Sequence, residues 1–412
     1  MNPALRVDEA KQAILRRLVP IAETGQVALR DALGRILAED VVSPIDVPQH
    51  DNSAMDGYAL RAADIAGNEE TSLRVAGSAL AGRPYGGTLD TGECILITTG
   101  AVLPAGCDCV VPQELVAAAS DEAIRLAPRI VQAGANCRRA GEDLRAGSIA
   151  LAAGKVLRPA DIGLLASLGI AGVAVKRRLR VAFFSTGDEL RSLGQPLDPG
   201  CVYDSNRYTL QAMLSRLGVE AIDLGVVRDD PAALRATLER ACSEADAIVT
   251  SGGVSVGAAD YTRAIMAQMG EVGFWKIAMR PGRPMAFGRI EAGGKSAWLF
   301  GLPGNPVAVM VSFYLLARDA LLLLAGASDT ALPLLRLPAR GTLRKKPGRT
   351  EFQRGVLAPD EQGKMRVRAF DEQGSGILRS MSQANCIIVL EHERGDVADG
   401  EDVAVILFDG LI

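Results

Sequence analysis

Three polar, glycine-rich loops interrupt apolar runs between Ile248 and Pro306, and they hold residue types suited to chemistry on a phosphorylated small molecule. The first, IVTSGGVSVGAADY, supplies Ser251, Gly252, Gly253, Ser255 and Gly257 with one carboxylate, Asp260. Glycines let a backbone approach a ligand closely, and exposed N–H groups can cradle an anion. The second, FWKIAMRPGRPMAF, carries Lys276, Arg280 and Arg283, cations suited to phosphate or another oxyanion. The third, WLFGLPGNPVAV, sets Pro303, Gly304, Asn305 and Pro306 ahead of an apolar helix, whose first N–H groups favour negative charge. The first loop has neither the G-x-G-x-x-G spacing nor the Lys-Ser/Thr of a P-loop. The plainer readings are a tight turn, a solvated edge strand and an ordinary helix start.

Carboxylates follow other strand-like runs. After AFFS come Thr186, Gly187, Asp188 and Glu189; after LGVV come Arg228, Asp229 and Asp230. Ligands of open α/β sheets bind beyond the C-terminal strand ends. These acids and Asp260 could therefore meet around a hard cation such as Mg2+, which takes oxygen ligands and bridges phosphates. Acids in such places also serve as helix N-caps, and one of Asp229 and Asp230, just before Pro231, is expected to do so.

The elements that must position these groups read as several modules. Residues 7–40 show helical spacing twice, in VDEAKQAILRRLV and LRDALGRILAED, with a turn at Thr24-Gly25. Short strands punctuated by Gly, Pro and Asp then predict a β-rich module over 45–137. Two loops in it, Asp51 to Ala59 and Ile97 to Ala101, are unexplained by composition. One short helix is expected from Pro159, ended by Gly169. From Leu179 strands alternate with helices, which predicts a mostly parallel, covered sheet over 179–328. After Asp329 the helices are expected to stop, leaving a C-terminal β module over 329–412.

Composition narrows the class. The chain has 412 residues, 48% hydrophobic, enough for several cores. A net charge of −4 provides no basic field for nucleic acid. Two histidines argue against a His-rich metal site, and seven cysteines without a C-x-x-C pair suggest reduced cytosolic thiols. The N-terminus lacks the apolar core of a signal peptide. The run from Pro306 to Ala325 is broken by Arg318-Asp319, so a buried helix is expected rather than a membrane span. A soluble, cytoplasmic protein is the expectation.

The chain also resembles a known family. DNSAMDGYAL, ITTGAVLPAGCDCVVPQE, RRAGED, STGDEL, YDSNRYTL, SGGVSVGAADY, KIAMRPGRP, GLPGNPV and EFQRGVL, in this order, look like molybdopterin molybdenumtransferase, the molybdenum insertase of molybdenum cofactor biosynthesis related to part of gephyrin. The resemblance implies four domains: an elongated linking domain from 1–44 and 138–178, whose N-terminal helix could pack on the third domain; a β-rich domain over 45–137; the α/β domain over 179–328; and a barrel-like β domain over 329–412. It implies that adenylylated molybdopterin and molybdate react in an Mg2+-dependent step that releases AMP. It further implies a homodimer with shared sites, to which Asp56 and Thr99 or Thr98 reach across. A functional partner would be the adenylyltransferase of the preceding step.

In that scheme Glu189, Asp229 or Asp230, and Asp260 hold the metal and position water. Residues Ser251 to Gly257 meet phosphate or nucleotide through backbone N–H groups, Lys276 and Arg280 neutralise charge, and Arg283 adds a further cation. Pro303 and Pro306 shape the pocket at Gly304 and Asn305, while Arg354 and Ser375 add anion contacts. The cysteines have no role, because the thiolates that take molybdenum belong to the substrate. Family members commonly carry lysine where this chain has Arg280, and often at Arg283; arginine keeps the charge but is wider and bidentate. Other readings are an adenylyltransferase of molybdopterin, a gephyrin-like scaffold, and a molybdate-binding regulator without catalysis, which would not need the carboxylate set. The first is usually a single small domain, and the second would want a long disordered linker.

Overall fold

The structure is a computed structural model that describes residues 4–65, 67–254 and 260–408; Ser255 and Gly257 lie outside the described residues, as do the side chains of Asp260 and Tyr261. At its centre is a six-stranded mixed sheet. Its spatial order is Glu220–Val227, Arg180–Thr186, Ala247–Ser251, Lys295–Leu302, Pro284–Ala292 and Gly270–Lys276. The first four strands are mutually parallel, and the last two complete an antiparallel hairpin edge. Ala247–Ser251 is buried at every position, as a strand covered on both faces must be. Ser205–Arg216, Pro231–Glu244 and the long Pro306 helix supply the covers.

The Pro306 helix runs to Leu324 with a π-helical turn at Phe313–Ala317. By length and apolarity it could span a membrane, but 78% of it is buried inside the protein. Its charged interruption is paired in the core: Asp319, 1% exposed, meets Lys11 at 2.5 Å and Arg318 at 2.6 Å. Lys11 comes from the N-terminal helix Val7–Leu15, whose Ala10 and Ile14 join the same apolar cluster as Phe313 and Leu321.

The second helix expected near Leu29 does not form. Instead Thr24–Ala28 is a strand paired with Gly172–Lys176, and only Leu29–Asp31 makes a short 3-10 turn. Gly34 takes φ +72°, and Leu37 then bridges Val175. Distant strand pairing overrides the local helical spacing here. Val41–Val42 likewise pairs with Ile149–Leu151, so the stretches before and after the β-rich segment are stitched together around Leu37, Leu157, Leu165 and Val175. The helix Pro159–Ser167 forms as expected.

Between those stretches lies a second six-stranded sheet, ordered Cys109–Pro112, Gly57–Leu60, Glu93–Ile97, Thr71–Ala79, Ala123–Leu126 and Ala118–Ala119. In the C-terminal region Thr350–Pro359, Cys386–Leu390, Asp402–Leu407 and Leu335–Pro338 pair in that order, and Met365–Ala369 lies on the other edge of Thr350–Pro359. Ala339 bridges Val367, which brings the two ends of this sheet together. Helices do not stop at Asp329: Leu378–Gln383 is a short helix, held by burial of Met381 against the main core. The two regions are also joined through backbone, because Met279–Arg280 pairs in parallel with Thr350 and Glu351. All seven cysteines are free.

Candidate active site

Because four strands run parallel, their C-terminal ends share one side of the sheet, and the following loops wall a cleft of about 1090 Å3. Gly187 and Glu189 follow Arg180–Thr186, Asp229 follows Glu220–Val227, and Gly252 and Gly253 follow Ser251. Pro303, Gly304, Asn305 and Pro306 follow Lys295–Leu302. Arg280 and Arg283 lie between Gly270–Lys276 and Pro284–Ala292, at the other edge of the sheet from Glu220–Val227, and form a second wall with Ser375 from the C-terminal region. The cleft therefore sets carboxylates on one side and guanidinium groups on the other.

Local hydrogen bonds explain which acids face the cleft. Asp230 caps the helix Pro231–Glu244, its Oδ2 accepting from the Ala233 N–H at 2.7 Å. Asp188 Oδ1 accepts from the Asp229 N–H at 3.1 Å and so ties two loops together. Glu189 and Asp229 are left exposed at the lining. Among the described residues no three Asp, Glu, Cys or His side chains converge as a closed metal cage. An open set of a few carboxylates nevertheless suits Mg2+, which needs no closed protein cage when substrate phosphates and water supply the remaining ligands.

The glycines at the first loop are required by space. Gly252 has φ +92° and Gly253 φ +69°, a region that side chains disfavour. A Cβ on Gly252 would sit 2.7 Å from the Thr186 carbonyl oxygen, and one on Gly253 would sit 3.1 Å from Thr186 Oγ1.

Several expected residues stand elsewhere. Lys276 ends an edge strand opposite Pro284 and is not part of the cleft lining; its carbonyl accepts from the Leu5 N–H at 2.9 Å. Arg354 is 1% exposed, and its guanidinium serves the protein rather than the cleft. Nη2 donates to the carbonyls of Glu372 and Gly374 at 2.9 and 3.0 Å, Nη1 to that of Gln373 at 3.2 Å, and Nε to Ser380 Oγ at 2.9 Å. Burial first, and the nearby Arg280 cation second, lower its pKa below the usual arginine value. Arg354 thus shapes the loop that presents Ser375. The helix start at Pro306 is also largely closed to an anion: Pro306 has no N–H, and that of Val307 is donated to the Ser375 carbonyl at 3.0 Å.

Asp56 and Thr99 lie on the second sheet and do not line the cleft of their own chain. Gly57 pairs with Ile97, which carries the residue before one and the residues after the other to the same sheet end. There Asp56 Oδ1 accepts from the Thr99 N–H at 2.6 Å and from Thr99 Oγ1 at 2.9 Å. These bonds, the backbone one first, lower the Asp56 pKa. Thr98 is engaged differently, its Oγ1 accepting from the Ala81 N–H at 3.0 Å.

Two cleft residues had no role assigned from sequence. Asp204 is 1% exposed; its Oδ1 accepts from Ser185 Oγ and from the Arg207 N–H, while Oδ2 has no protein partner among the described residues. Asn206 is 8% exposed and joins Ser251 to the Gly304 carbonyl. The available signal was the run Asp204-Ser205-Asn206 at a helix start, which also reads as a simple N-cap.

Comparison with known proteins agrees with this architecture along the chain. Residues 5–169 match the family model described as "MoeA N-terminal region (domain I and II)", 182–322 match "Probable molybdopterin binding domain", and 336–408 match "MoeA C-terminal region (domain IV)". Fold and cleft thus define a multidomain protein built around an α/β sheet module of the molybdopterin-binding type. A molybdopterin molybdenumtransferase of Haemophilus influenzae is 42% identical over 99% of this chain and 100% of its own length. One from Nostoc is 36% identical over 95% of this chain and 92% of its own. Among solved structures, a molybdopterin biosynthesis moeA protein from Pyrococcus horikoshii OT3 superposes with a TM-score of 0.82 at 30% identity, covering 98% of this chain and 100% of that one. The chain belongs to the molybdopterin molybdenumtransferase family.

Proposed function

We propose that this protein inserts molybdenum from molybdate into adenylylated molybdopterin, releasing AMP and forming molybdenum cofactor. The observation that carries the reading is the facing of Glu189 and Asp229 by Arg280 and Arg283 across one cleft, in a chain of this family. Glu189 and Asp229, with Asp260 from the neighbouring loop, would hold Mg2+. The bound ion would neutralise charge at the phosphoanhydride. Gly252 and Gly253 allow the phosphate to approach the backbone, and Arg280 and Arg283 attract the oxyanion and stabilise charge that develops as AMP leaves. Ser375, set by the Arg354-supported loop, adds a polar contact on the same wall.

Asp56 and Thr99 support a shared site in a homodimer. They form an exposed, bonded pair outside their own cleft, and a partner's β-rich domain would bring the pair to it. The same reading divides the chain into the four domains expected from sequence, with the C-terminal sheet closing into a small barrel through Ala339 and Val367. It places the protein in the cytoplasm, receiving its substrate from the adenylyltransferase of the preceding step.

The test is AMP release from adenylylated molybdopterin, with and without Mg2+ and molybdate. Release that needs both, with cofactor formed, is expected. Adduct formation from ATP and molybdopterin, without release, would move the protein to the adenylyltransferase step.

A further inference from the structure

Ser251 and Gly304 belong to different loops of the cleft, and one side-chain atom bonds to both. That atom is Asn206 Nδ2, 2.8 Å from Ser251 Oγ and 2.6 Å from the Gly304 carbonyl oxygen. The orientation of the amide follows from chemistry. A carbonyl oxygen can only accept, so the atom facing Gly304 must be the NH2 group. Its second N–H then donates to Ser251 Oγ, and the serine hydroxyl is the acceptor in that bond. The proton of Ser251 is therefore not used by Asn206. Among the described residues no acceptor takes it.

Ser251 lines the cleft beside Gly252 and Gly253, where the backbone is shaped for close approach of a ligand. Asn206 is nine-tenths buried, and its own Oδ1 is without a partner among the described residues, so its position is set by the two bonds it donates. Resting on the function proposed above, we infer that Asn206 is a positioning residue that holds the Ser251 hydroxyl as a hydrogen-bond donor for a phosphate oxygen of the substrate. In this role Asn206 acts through Ser251. It selects the rotor state of Ser251 and ties that residue to the Gly304 loop at the end of the neighbouring strand.

The experiment uses the full chain with AMP and adenosine as probes, read by calorimetry, beside the AMP-release assay. Asn206→Ala and Ser251→Ala should each weaken AMP binding about tenfold, as loss of a hydrogen bond to a charged group does. The double variant should bind AMP about as well as the weaker single variant, since both changes remove one interaction. Adenosine, which lacks the phosphate, should bind all four proteins alike. Multiplying losses in the double variant, or equal losses for adenosine, would reduce Asn206 to a scaffold and overturn the inference. If Asn206→Ala does not fold, Ser251→Ala alone decides: unchanged AMP affinity refutes the donor role. A wild-type protein that binds AMP above adenosine yet releases none from the adenylylated substrate would overturn the proposed function and leave this inference standing.

Discussion

The N–H of Val307 donates to the carbonyl of Ser375 at 3.0 Å, so the first turn of the Pro306 helix is capped by a loop from 68 residues further along the chain. The bond makes the C-terminal region part of the cleft wall. A helix N-terminus that sequence offers to an anion is here partly occupied by the protein itself.

Arg354 supports that loop from behind. Arg354→Ala should destabilise the protein by about 2–4 kcal/mol, because a fully buried side chain is removed together with its bonds to Ser380 and to the carbonyls of residues 372–374. Arg354→Lys should recover little, since an ammonium group cannot reproduce the planar fork. Denaturant unfolding of both variants checks this.

Gly252→Ala should cost about 1–3 kcal/mol through its φ of +92° and abolish most activity by forcing the loop away from Thr186. Gly304→Ala is the control: its added Cβ would meet only Gly252 at 3.7 Å, an ordinary contact. Thermal unfolding and AMP release on the two variants separate the cases.

Glu189→Gln, Asp229→Asn and Asp260→Asn should each leave the fold intact and cut AMP release at least about tenfold. For Glu189 and Asp229 the loss should grow as Mg2+ is lowered. Full activity in all three, at limiting Mg2+, would remove the carboxylates from the reaction.

Asp56 provides a pH-dependent element. Its carboxyl is held below the ordinary range by the N–H and O–H of Thr99, so its contribution to stability is complete above the unfolded pKa of about 3.9. That contribution is lost as pH falls through the lower, folded value. Thr99→Ala should raise the Asp56 pKa only part of the way, because the backbone donor remains. Carbon-detected NMR titration of the carboxyl measures it directly.

Asp56→Ala and Asp229→Ala chains, inactive when alone, should regain activity when mixed and allowed to exchange subunits, because one cleft of the hybrid has both residues. Absence of recovery in a proven heterodimer would place the Asp56 pair outside the reaction.

The parallel sheet and the buried Pro306 helix were legible in the sequence because they are local patterns: continuous apolar strands, helical periodicity, and glycine or proline at the boundaries. The pairing of Thr24–Ala28 with Gly172–Lys176 was not, since partners far apart in sequence outweighed helical spacing near Leu29. For the cleft, the residue types after each strand were enough to nominate Glu189, Asp229, Ser251 and Arg280. Only tertiary structure could separate Asp229 from its neighbour Asp230, which is spent on a helix cap, or show that Arg354 supports a loop. A sequence fixes which groups are available. Burial and hydrogen-bond partners, which depend on residues brought together from distant segments, decide which of them remain free to meet a ligand.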